Sequence, residues 1–205
     1  MNPGQNQELG AHLMRLLHID SSVQGANAPS RVLAALIVER LVAAAAALQV
    51  TYRDLSAPPL VRPMPAHGSA PDATVLEEFL AANIVVIGAP MHNLGLPSPL
   101  KAWIDQIVLA GSTFKYGRDE VTLGLASDKC VVIAYCRGEP DDAGHVGAGD
   151  EHAASHLRAA FDFLGVADVE FIAADGPPLD PDAHMTAPRV GEKADNILSM
   201  LKRAA

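Results

Sequence analysis

Apolar residues along this chain fall into two patterns that alternate from one end to the other. Short apolar runs have the length of strands. Between them, apolar residues recur at steps of three and four, which is the spacing of one face of a helix. The predicted strands span residues 14–19, 50–54, 84–87, 130–134 and 169–173, and the predicted helices carry the apolar stripes that begin at Leu33, Val75, Leu96, Ala153 and Val190.

This alternation of strand and helix predicts an α/β fold. Several of the strands are apolar on both faces, which is typical of a parallel sheet covered by helices on both sides. Five such strands favour the flavodoxin-like order 2-1-3-4-5. Polar residues indicate two helix starts: Ser30 is a candidate N-cap for the first helix, whose stripe runs to Leu48, and Asp72 begins the second.

Length and composition place this fold in one compact domain. The chain has 205 residues, of which 49% are hydrophobic and 19% are charged, a balance typical of a globular protein. We expect a single domain over residues 13–205. Residues 1–12 are a polar N-terminal extension without a predicted element, and their composition is compatible with disorder.

Charge and cysteine content argue against several classes of function. The formal net charge is -9, and the 15 Lys and Arg residues form no run, which disfavours nucleic acid as a partner. No stretch reaches about 18 consecutive apolar residues, so we expect no membrane span. Cys130 and Cys136 would share one face of a strand, which disfavours a disulfide framework and suits a reducing cytoplasm.

In a doubly wound sheet, ligands bind beyond the carboxyl ends of the strands, so the loops after the first, third and fourth strands are the candidate sites. The first loop holds Ser21, Ser22, Gly25, Asn27 and Ser30 beside a helix start, an arrangement that suits a phosphate. Ser22 and Ser30 equally suit the caps of a turn and of a helix. Neither a P-loop nor a GxGxxG fingerprint is present.

The loop after the third strand has the features of a frame for a flat ring. Gly and Pro residues fix an irregular backbone there, and Met91, His92 and Leu94 offer side walls around Asn93. His92 would also serve as a general base or a metal ligand. No second His, Cys or carboxylate stands at ligand spacing nearby, which argues against a metal.

The loop after the fourth strand begins Cys136-Arg137-Gly138-Glu139. It offers a cation and a glycine that permits close approach of the backbone. Arg137 is equally compatible with an ordinary surface cation.

One long segment, residues 89–116, reads APMHNLGLPSPLKAWIDQIVLAGSTFKY. Shorter motifs are HIDSS at 18–22, Arg-Asp-Leu at 53–55, Cys-Arg-Gly at 136–138 and FLG at 163–165. Together they resemble, in the same order, the FMN-dependent NAD(P)H azoreductases, also described as FMN-dependent NADH:quinone oxidoreductases, with their APMYNF segment and AG-x-TF-x-Y motif.

The resemblance implies a flavodoxin-like homodimer that binds FMN. It would take two electrons as hydride from NADH or NADPH and pass them to a quinone or an azo compound in a ping-pong cycle. The flavin carries the chemistry, so no catalytic side chain and no metal are implied. By resemblance, the FMN phosphate would contact Ser22, Ala28, Pro29 and Ser30, the ring edge Met91, His92, Asn93 and Leu94, and the other side of the ring Cys136, Arg137, Gly138 and Glu139.

Phe114 and Tyr116 would wall the substrate site, partly from the second subunit, although ordinary core packing explains them equally well. The chain also departs from the family pattern. Where the family has Ser-x-Ser, it has Ala28-Pro29-Ser30, which removes one hydroxyl and one backbone donor. Each lost bond to a charged oxygen costs about 1.5 to 3 kcal/mol, so we expect weaker FMN retention.

Three alternatives share this topology. A flavodoxin-type electron carrier would have a phosphate loop rich in Ser and Thr with Thr-Gly-x-Thr character, a dense acidic docking face and a shorter segment after the third strand. A receiver-type signalling domain needs an acidic residue where this chain has Gly88-Ala89-Pro90. A non-catalytic flavodoxin-like protein stays open.

Overall fold

The computed structural model describes residues 13–45, 47–56, 72–91, 95–118, 121–136 and 148–174. These residues form seven strands and four helices, in the order β1 (Met14–Asp20), α1 (Pro29–Ala44), β2 (Leu48–Asp54), α2 (Ala73–Ala81), β3 (Ile84–Pro90), α3 (Ser98–Ile107), β4 (Phe114–Tyr116), β5 (Thr122–Gly124), β6 (Cys130–Cys136), α4 (Ala148–Phe163) and β7 (Asp168–Ala174).

The main sheet has five strands in the order β2-β1-β3-β6-β7, and all neighbouring pairs are parallel. This order matches the predicted 2-1-3-4-5 by position, so the predicted flavodoxin-like fold is confirmed. The register aligns Asp20 with both Asp54 and Gly88, and Pro90 with Cys136. The carboxyl ends of four strands therefore lie along one edge, here called the carboxyl edge.

Apolar side chains of the central strands belong to two hydrophobic cores, one on each face of the sheet. Ile84 and Val86 of β3 pack with α1 on one face. Val85 and Ile87 pack on the opposite face with α2, α3 and α4. The prediction that helices cover both faces is thus confirmed, and the continuous apolar runs of β3 and β6 reflect burial on both faces.

The first helix is shorter than its apolar stripe indicated. It ends at Ala44, and Leu48 opens β2, where it pairs with Met14. The prediction that the stripe runs to Leu48 is therefore wrong. The alanine-rich segment holds no helix stop signal, and parallel pairing with β1 draws Leu48 into the sheet. Ser30 is not the N-cap either: Ala28 takes that position. Asp72 does cap α2, because its carboxylate accepts from the Thr74 amide.

The antiparallel hairpin of β4 and β5 was not predicted. It lies at the amino edge of the sheet, opposite the carboxyl edge, because α3 and α4 return the chain to that end. The Ala126 amide donates to the carbonyl of Leu164, just beyond α4. A Cβ on Gly124 would collide with the Gly165 amide nitrogen, so the hairpin and the end of α4 are in close backbone contact.

Several predictions lie outside the described residues, namely the N-terminal extension and the closing helix that carries Val190. In the part of the chain that the structure describes, no helix has the length and apolar character needed to cross a membrane.

Candidate functional site

The strands β1, β3 and β6, which precede the three predicted candidate loops, end side by side at the carboxyl edge. The Ser21 amide donates to the Gly88 carbonyl, 3.2 Å away, and the Met91 amide donates to the Cys136 carbonyl, also 3.2 Å away. These bonds join the start of the loop after β1 to β3, and the start of the loop after β3 to β6. The sheet thus brings together the strand ends from which the three predicted candidate loops begin.

A cleft of about 160 Å3 opens between the first two of these loops. Its walls are Ser22, Val23 and Gln24 from the loop after β1, and Pro90, Met91, Pro97, Ser98 and Pro99 from the end of β3 to the start of α3. Most of these side chains are apolar and several are proline, whose fixed backbone gives the cleft a preformed shape. Ser22 and Met91 were predicted as contacts, and the structure places both on the cleft.

The loop that enters α1 is closed by its own turn contacts. The Gln24 amide donates to the Ser22 hydroxyl at 3.2 Å, and the Ala28 amide donates to the Gly25 carbonyl at 3.2 Å. Gly25 has a φ of 85°, a left-handed conformation that glycine adopts without strain. The Ser22 hydroxyl thus caps a turn, which is the second of the two roles that the sequence predicted for this residue.

The N-terminus of α1 combines a missing cap with an unsatisfied hydroxyl. Ala28 is the N-cap and has no side chain that could accept from the helix. Pro29 follows without an amide hydrogen, so Ser30 is the first residue of α1 that can donate one. The Ser30 hydroxyl is fully buried and has no hydrogen-bond partner among the residues described. An anion that reached this helix end would meet a free donor and the positive end of the helix.

Behind this loop lies a buried cation, Arg31, which is 7% exposed. Its guanidinium donates from Nε and Nη2 to the Ser22 carbonyl, at 3.2 and 2.7 Å. It also forms a two-pronged pair with the Asp54 carboxylate, at 2.9 and 2.8 Å. Further bonds reach the Tyr52 hydroxyl at 3.3 Å and the Ser56 hydroxyl at 3.0 Å. This bonding with Asp54 raises the pKa of Arg31 and lowers the pKa of Asp54 to about 2.

A second carboxylate, Asp20, completes the polar cluster and, unlike the partly exposed Asp54, is buried. It accepts from the Tyr52 hydroxyl at 3.0 Å and lies 3.5 Å from both Arg31 Nη1 and His18 Nε2. Burial is the main cause that raises the pKa of Tyr52, so this phenol remains a donor. A Cβ on Gly88 would lie 2.8 Å from Asp20 Oδ1. A larger residue at this position of β3 would therefore displace the Asp20 carboxylate.

The remaining predicted contacts divide into two groups. Cys136 lies at the end of β6, and its side chain is buried in the core beside α1 rather than on the cleft. Phe114 is buried against Phe163 at the amino edge, with ring centroids 4.9 Å apart, whereas Tyr116 is 71% exposed. The contacts predicted for His92, Asn93, Leu94, Arg137, Gly138 and Glu139 lie outside the described residues.

Sequence reasoning did not identify the Arg31 cluster or the proline wall. The first turn of α1 and the end of β2 are separated by 23 residues, and no spacing rule links them. Pro97 and Pro99 stand in the resembling segment, and their position before a helix was the signal that could have indicated a rigid cleft wall.

This strand order, with a cleft at the carboxyl edge, is that of a flavodoxin-like protein. A family model described as a flavodoxin-like fold matches residues 14–197 of the chain. The chain is 47% identical over 184 residues to FMN-dependent NADH:quinone oxidoreductase 2 of Bradyrhizobium diazoefficiens, which covers 82% of this chain and 91% of that protein. It is 43% identical over 204 residues to the FMN-dependent NADH:quinone oxidoreductase of Methylocella silvestris, which covers 91% and 98%. The chain belongs to the family of FMN-dependent NADH:quinone oxidoreductases, as its motifs indicated.

The fold is also that of a solved azoreductase. The crystal structure of an FMN-dependent NADH-azoreductase from Bacillus anthracis, in complex with FMN, superposes with a TM-score of 0.74 at 22% sequence identity. The match covers 90% of this chain and 99% of that one.

Proposed function

We propose that this chain is an FMN-dependent oxidoreductase that transfers two electrons from NADH or NADPH to quinones and azo compounds. The observation that carries the proposal is the buried Ser30 hydroxyl, which has no partner among the described residues. A buried polar group without a hydrogen bond costs about 1 to 3 kcal/mol. A phosphate oxygen at the N-terminus of α1 would remove this cost. The relatives that bear this activity in their names are 43% and 47% identical to the chain.

The residues present suit FMN in two places. Ser30, with its amide and hydroxyl, would bind the phosphate together with Ser22 and the main chain of Ala28 and Pro29. Met91 lines the cleft beside Ser22, and by the family resemblance the ring edge would lie against residues 91–94, with the main chain of residues 136–139 on its other side. When bound, FMN would accept a hydride from the nicotinamide and pass two electrons to the acceptor.

The protein would contribute position and exclusion of water rather than a proton-transferring side chain. The cleft walls of Val23, Pro90, Pro97 and Pro99 are apolar, and apolar walls limit the access of water to a bound ring. Nicotinamide and acceptor would use the same face of the ring in turn, because the residues that would hold FMN would cover its other face. This arrangement predicts a ping-pong order of substrates.

Two measurements test the proposal. Titration of FMN should quench its fluorescence with a dissociation constant of micromolar order or tighter, which corresponds to a binding free energy of about 8 kcal/mol in favour of the complex. Initial rates with NADH and a quinone should give parallel lines in double-reciprocal plots. Absence of saturable quenching would contradict FMN binding, and intersecting lines would contradict the ping-pong cycle.

We also propose a homodimer formed through the hairpin surface, defined as the exposed apolar side chains of the hairpin region and of the end of α4. These side chains are 40% to 71% exposed: Tyr116, Val121, Leu123, Leu125 and Phe163. A contiguous exposed apolar patch is typical of an interface. Because Tyr116 lies at the edge opposite the cleft of its own chain, a role in walling the substrate site would require the partner subunit.

The substitution Leu123→Asp tests this interface. We expect the variant to elute as a monomer, because the interface would bury the new charge. We also expect it to lose quinone turnover, because the substrate site would lack the wall that the partner subunit supplies. Leu80→Asp is the matched control, since Leu80 is 42% exposed on α2 and lies outside the hairpin surface. A Leu123→Asp protein that stays dimeric by light scattering would refute the proposed interface.

We further propose that the protein works in the cytoplasm. Cys130 and Cys136 are buried at the two ends of one strand, β6, too far apart to form a disulfide with each other, which suits a reducing compartment. Fractionation of the native host, with the protein followed by antibody, tests this location.

A further inference from the structure

Arg31 stands where a cation is unfavourable. It lies in the first turn of α1, close to the positive end of the helix dipole, and it is buried. A buried charge costs free energy unless it is paired and fully hydrogen-bonded. The two carboxylates of Asp20 and Asp54 supply the pairing.

The guanidinium has no donor left for a ligand. Its five N–H groups face five protein acceptors: the Ser22 carbonyl, both oxygens of Asp54, and the hydroxyls of Tyr52 and Ser56. An arginine that binds phosphate directly needs free N–H groups directed at it. Arg31 can therefore affect a ligand only through the groups that it holds.

The group that it holds most directly is the main chain of Ser22. This carbonyl accepts two of the guanidinium bonds, and Ser22 begins the loop that leads to the N-terminus of α1. At many helix N-termini the side chain of the N-cap residue accepts from an amide of the first turn and so fixes the chain that enters the helix. Ala28 cannot do so, and Arg31 provides a tie from the first turn back to the start of the loop.

The far side of this tie is anchored in β2. The Asp54 carboxylate accepts from the Ser56 amide at 2.9 Å and from its hydroxyl at 2.7 Å. The Leu55 amide donates to the Asp20 carbonyl at 2.8 Å, which fixes the end of β2 against β1. With the pKa of Asp54 lowered to about 2, this carboxylate stays ionised throughout the pH range of an enzyme assay.

We propose that Arg31 is a positioning residue for phosphate recognition, because it holds the Ser22 main chain against the first turn of α1. Asp54 in turn holds Arg31. The affinity for the phosphate of a flavin nucleotide therefore depends on Asp54, although Asp54 touches no ligand. The inference rests on the proposed function. It gives the end of the second strand, where the Arg-Asp-Leu motif stands, a part in the site although this strand does not line the cleft.

The proposal separates two flavins that differ by one group. FMN carries a phosphate and riboflavin does not, whereas their rings are identical. Loss of Arg31 should loosen the loop that faces the phosphate and leave the residues at the ring unchanged. We therefore expect Arg31→Met to raise the dissociation constant of FMN on the order of tenfold, and that of riboflavin less than about twofold; tenfold corresponds to about 1.4 kcal/mol.

Three further variants sharpen the test. Arg53→Met removes a neighbouring arginine of β2 whose Nη2 bonds Glu78 of α2 at 2.8 Å, far from Ser22, and it should keep both affinities. Arg31→Lys keeps the charge without the planar fork and should lie between wild type and Arg31→Met. Asp54→Asn should reproduce the Arg31→Met pattern, because it removes the anchor.

Fluorescence quenching titrations of FMN and riboflavin, on the full chain of each variant, give every value needed. Equal weakening of both flavins, or of neither, by Arg31→Met would overturn the inference, as would a wild type that binds riboflavin as tightly as FMN. If Arg31→Met does not fold, Arg31→Lys and Asp54→Asn give the same comparison. A wild type with no saturable FMN binding would overturn the proposed function itself, whereas a wild type that prefers FMN while the variants keep that preference overturns this inference alone.

Discussion

The two faces of the first strand differ in the side chains that they present at the carboxyl edge. Leu17 and Ile19 face the core formed with α2, α3 and α4. His18 and Asp20 alternate with them and are buried on the other face, in the polar cluster around Arg31. One strand thus contributes to an apolar core and to a charged cluster within four consecutive residues.

The two faces also differ in what their burial achieves. Each large apolar side chain in the core contributes about 1.5 to 3 kcal/mol to folding. Buried ion pairs contribute little net stability, because desolvation offsets most of the attraction. They do fix geometry, since their bonds are directional. We infer that the apolar face mainly maintains the fold, whereas the polar end of the α1 face mainly maintains the shape of the loop at the site.

The largest expected effect on stability is on the apolar face. Phe79 is fully buried and meets Trp103 edge to face, with ring centroids 5.8 Å apart. Phe79→Ala should lower the free energy of unfolding by about 3 to 5 kcal/mol. Urea unfolding measures the loss. The FMN dissociation constant of the folded fraction should stay within about twofold of wild type, and a large rise would show that the two faces are not separable.

A smaller effect is expected where β3 passes the polar cluster. A Cβ at Gly88 would lie 2.8 Å from Asp20 Oδ1 and 3.0 Å from the Ser30 carbonyl oxygen. Gly88→Ala should therefore cost about 1 to 3 kcal/mol through overpacking and should also weaken FMN binding. Gly95→Ala is the control for stability, because a Cβ there meets nothing within 4 Å. An unchanged FMN affinity in Gly88→Ala would separate this cluster from the site.

Acid should act on the polar face before it acts on the core. The pKa of Asp54 is about 2 in the folded protein, against an ordinary value of 3.8, because of its bond with Arg31. The ionised Asp54 carboxylate therefore adds to the free energy of unfolding above about pH 4, and this contribution is lost as the pH falls towards 2. We expect the contribution to be about 1 to 2 kcal/mol, after allowance for the partial exposure of Asp54. Unfolding curves of Asp54→Asn should lack this part of the acid dependence, and an identical profile in both proteins would contradict the assignment.

The same contrast explains how far sequence reasoning reached. The apolar runs of β3 and β6 predicted strands buried on both faces, because burial on both faces leaves no polar alternation. Helix periodicity placed Phe79 and Trp103 in the core, where the structure has them. Periodicity went wrong at Leu48, where the stripe continues although the chain has entered β2.

The polar cluster could not be predicted in the same way. The bond from Arg31 to Asp54 joins residues that become neighbours only when β2 pairs with β1. A single charged residue has no period, so its partner is set by the sheet register. The hairpin was missed for another reason. Its strands have three residues each, too short for a period of two to stand out, although Phe114 and Tyr116 do alternate with Lys115.

Two buried serines at the carboxyl edge give the smallest expected change in stability. Ser21 donates its hydroxyl to the Gly88 carbonyl at 2.6 Å, so Ser21→Ala should cost about 1 kcal/mol. Ser30 has a buried hydroxyl without a partner in the described part of the chain. Ser30→Ala removes an unsatisfied group and should leave the stability of the protein without FMN within about 0.5 kcal/mol of wild type, or raise it.

The cost of Ser30→Ala should instead appear when FMN is added. The wild-type hydroxyl would donate to the phosphate, and a bond to a charged oxygen contributes about 1.5 to 3 kcal/mol, so the FMN dissociation constant should rise tenfold or more. Thermal unfolding with and without FMN measures both quantities on one sample, because a ligand at free concentration L that binds the folded protein raises its stability by RT ln(1 + L/Kd), and a weaker affinity therefore gives a smaller rise in the transition temperature. A Ser30→Ala protein that loses stability without FMN, yet keeps the full FMN-dependent shift, would show that Ser30 serves the packing of α1 and that the phosphate binds elsewhere.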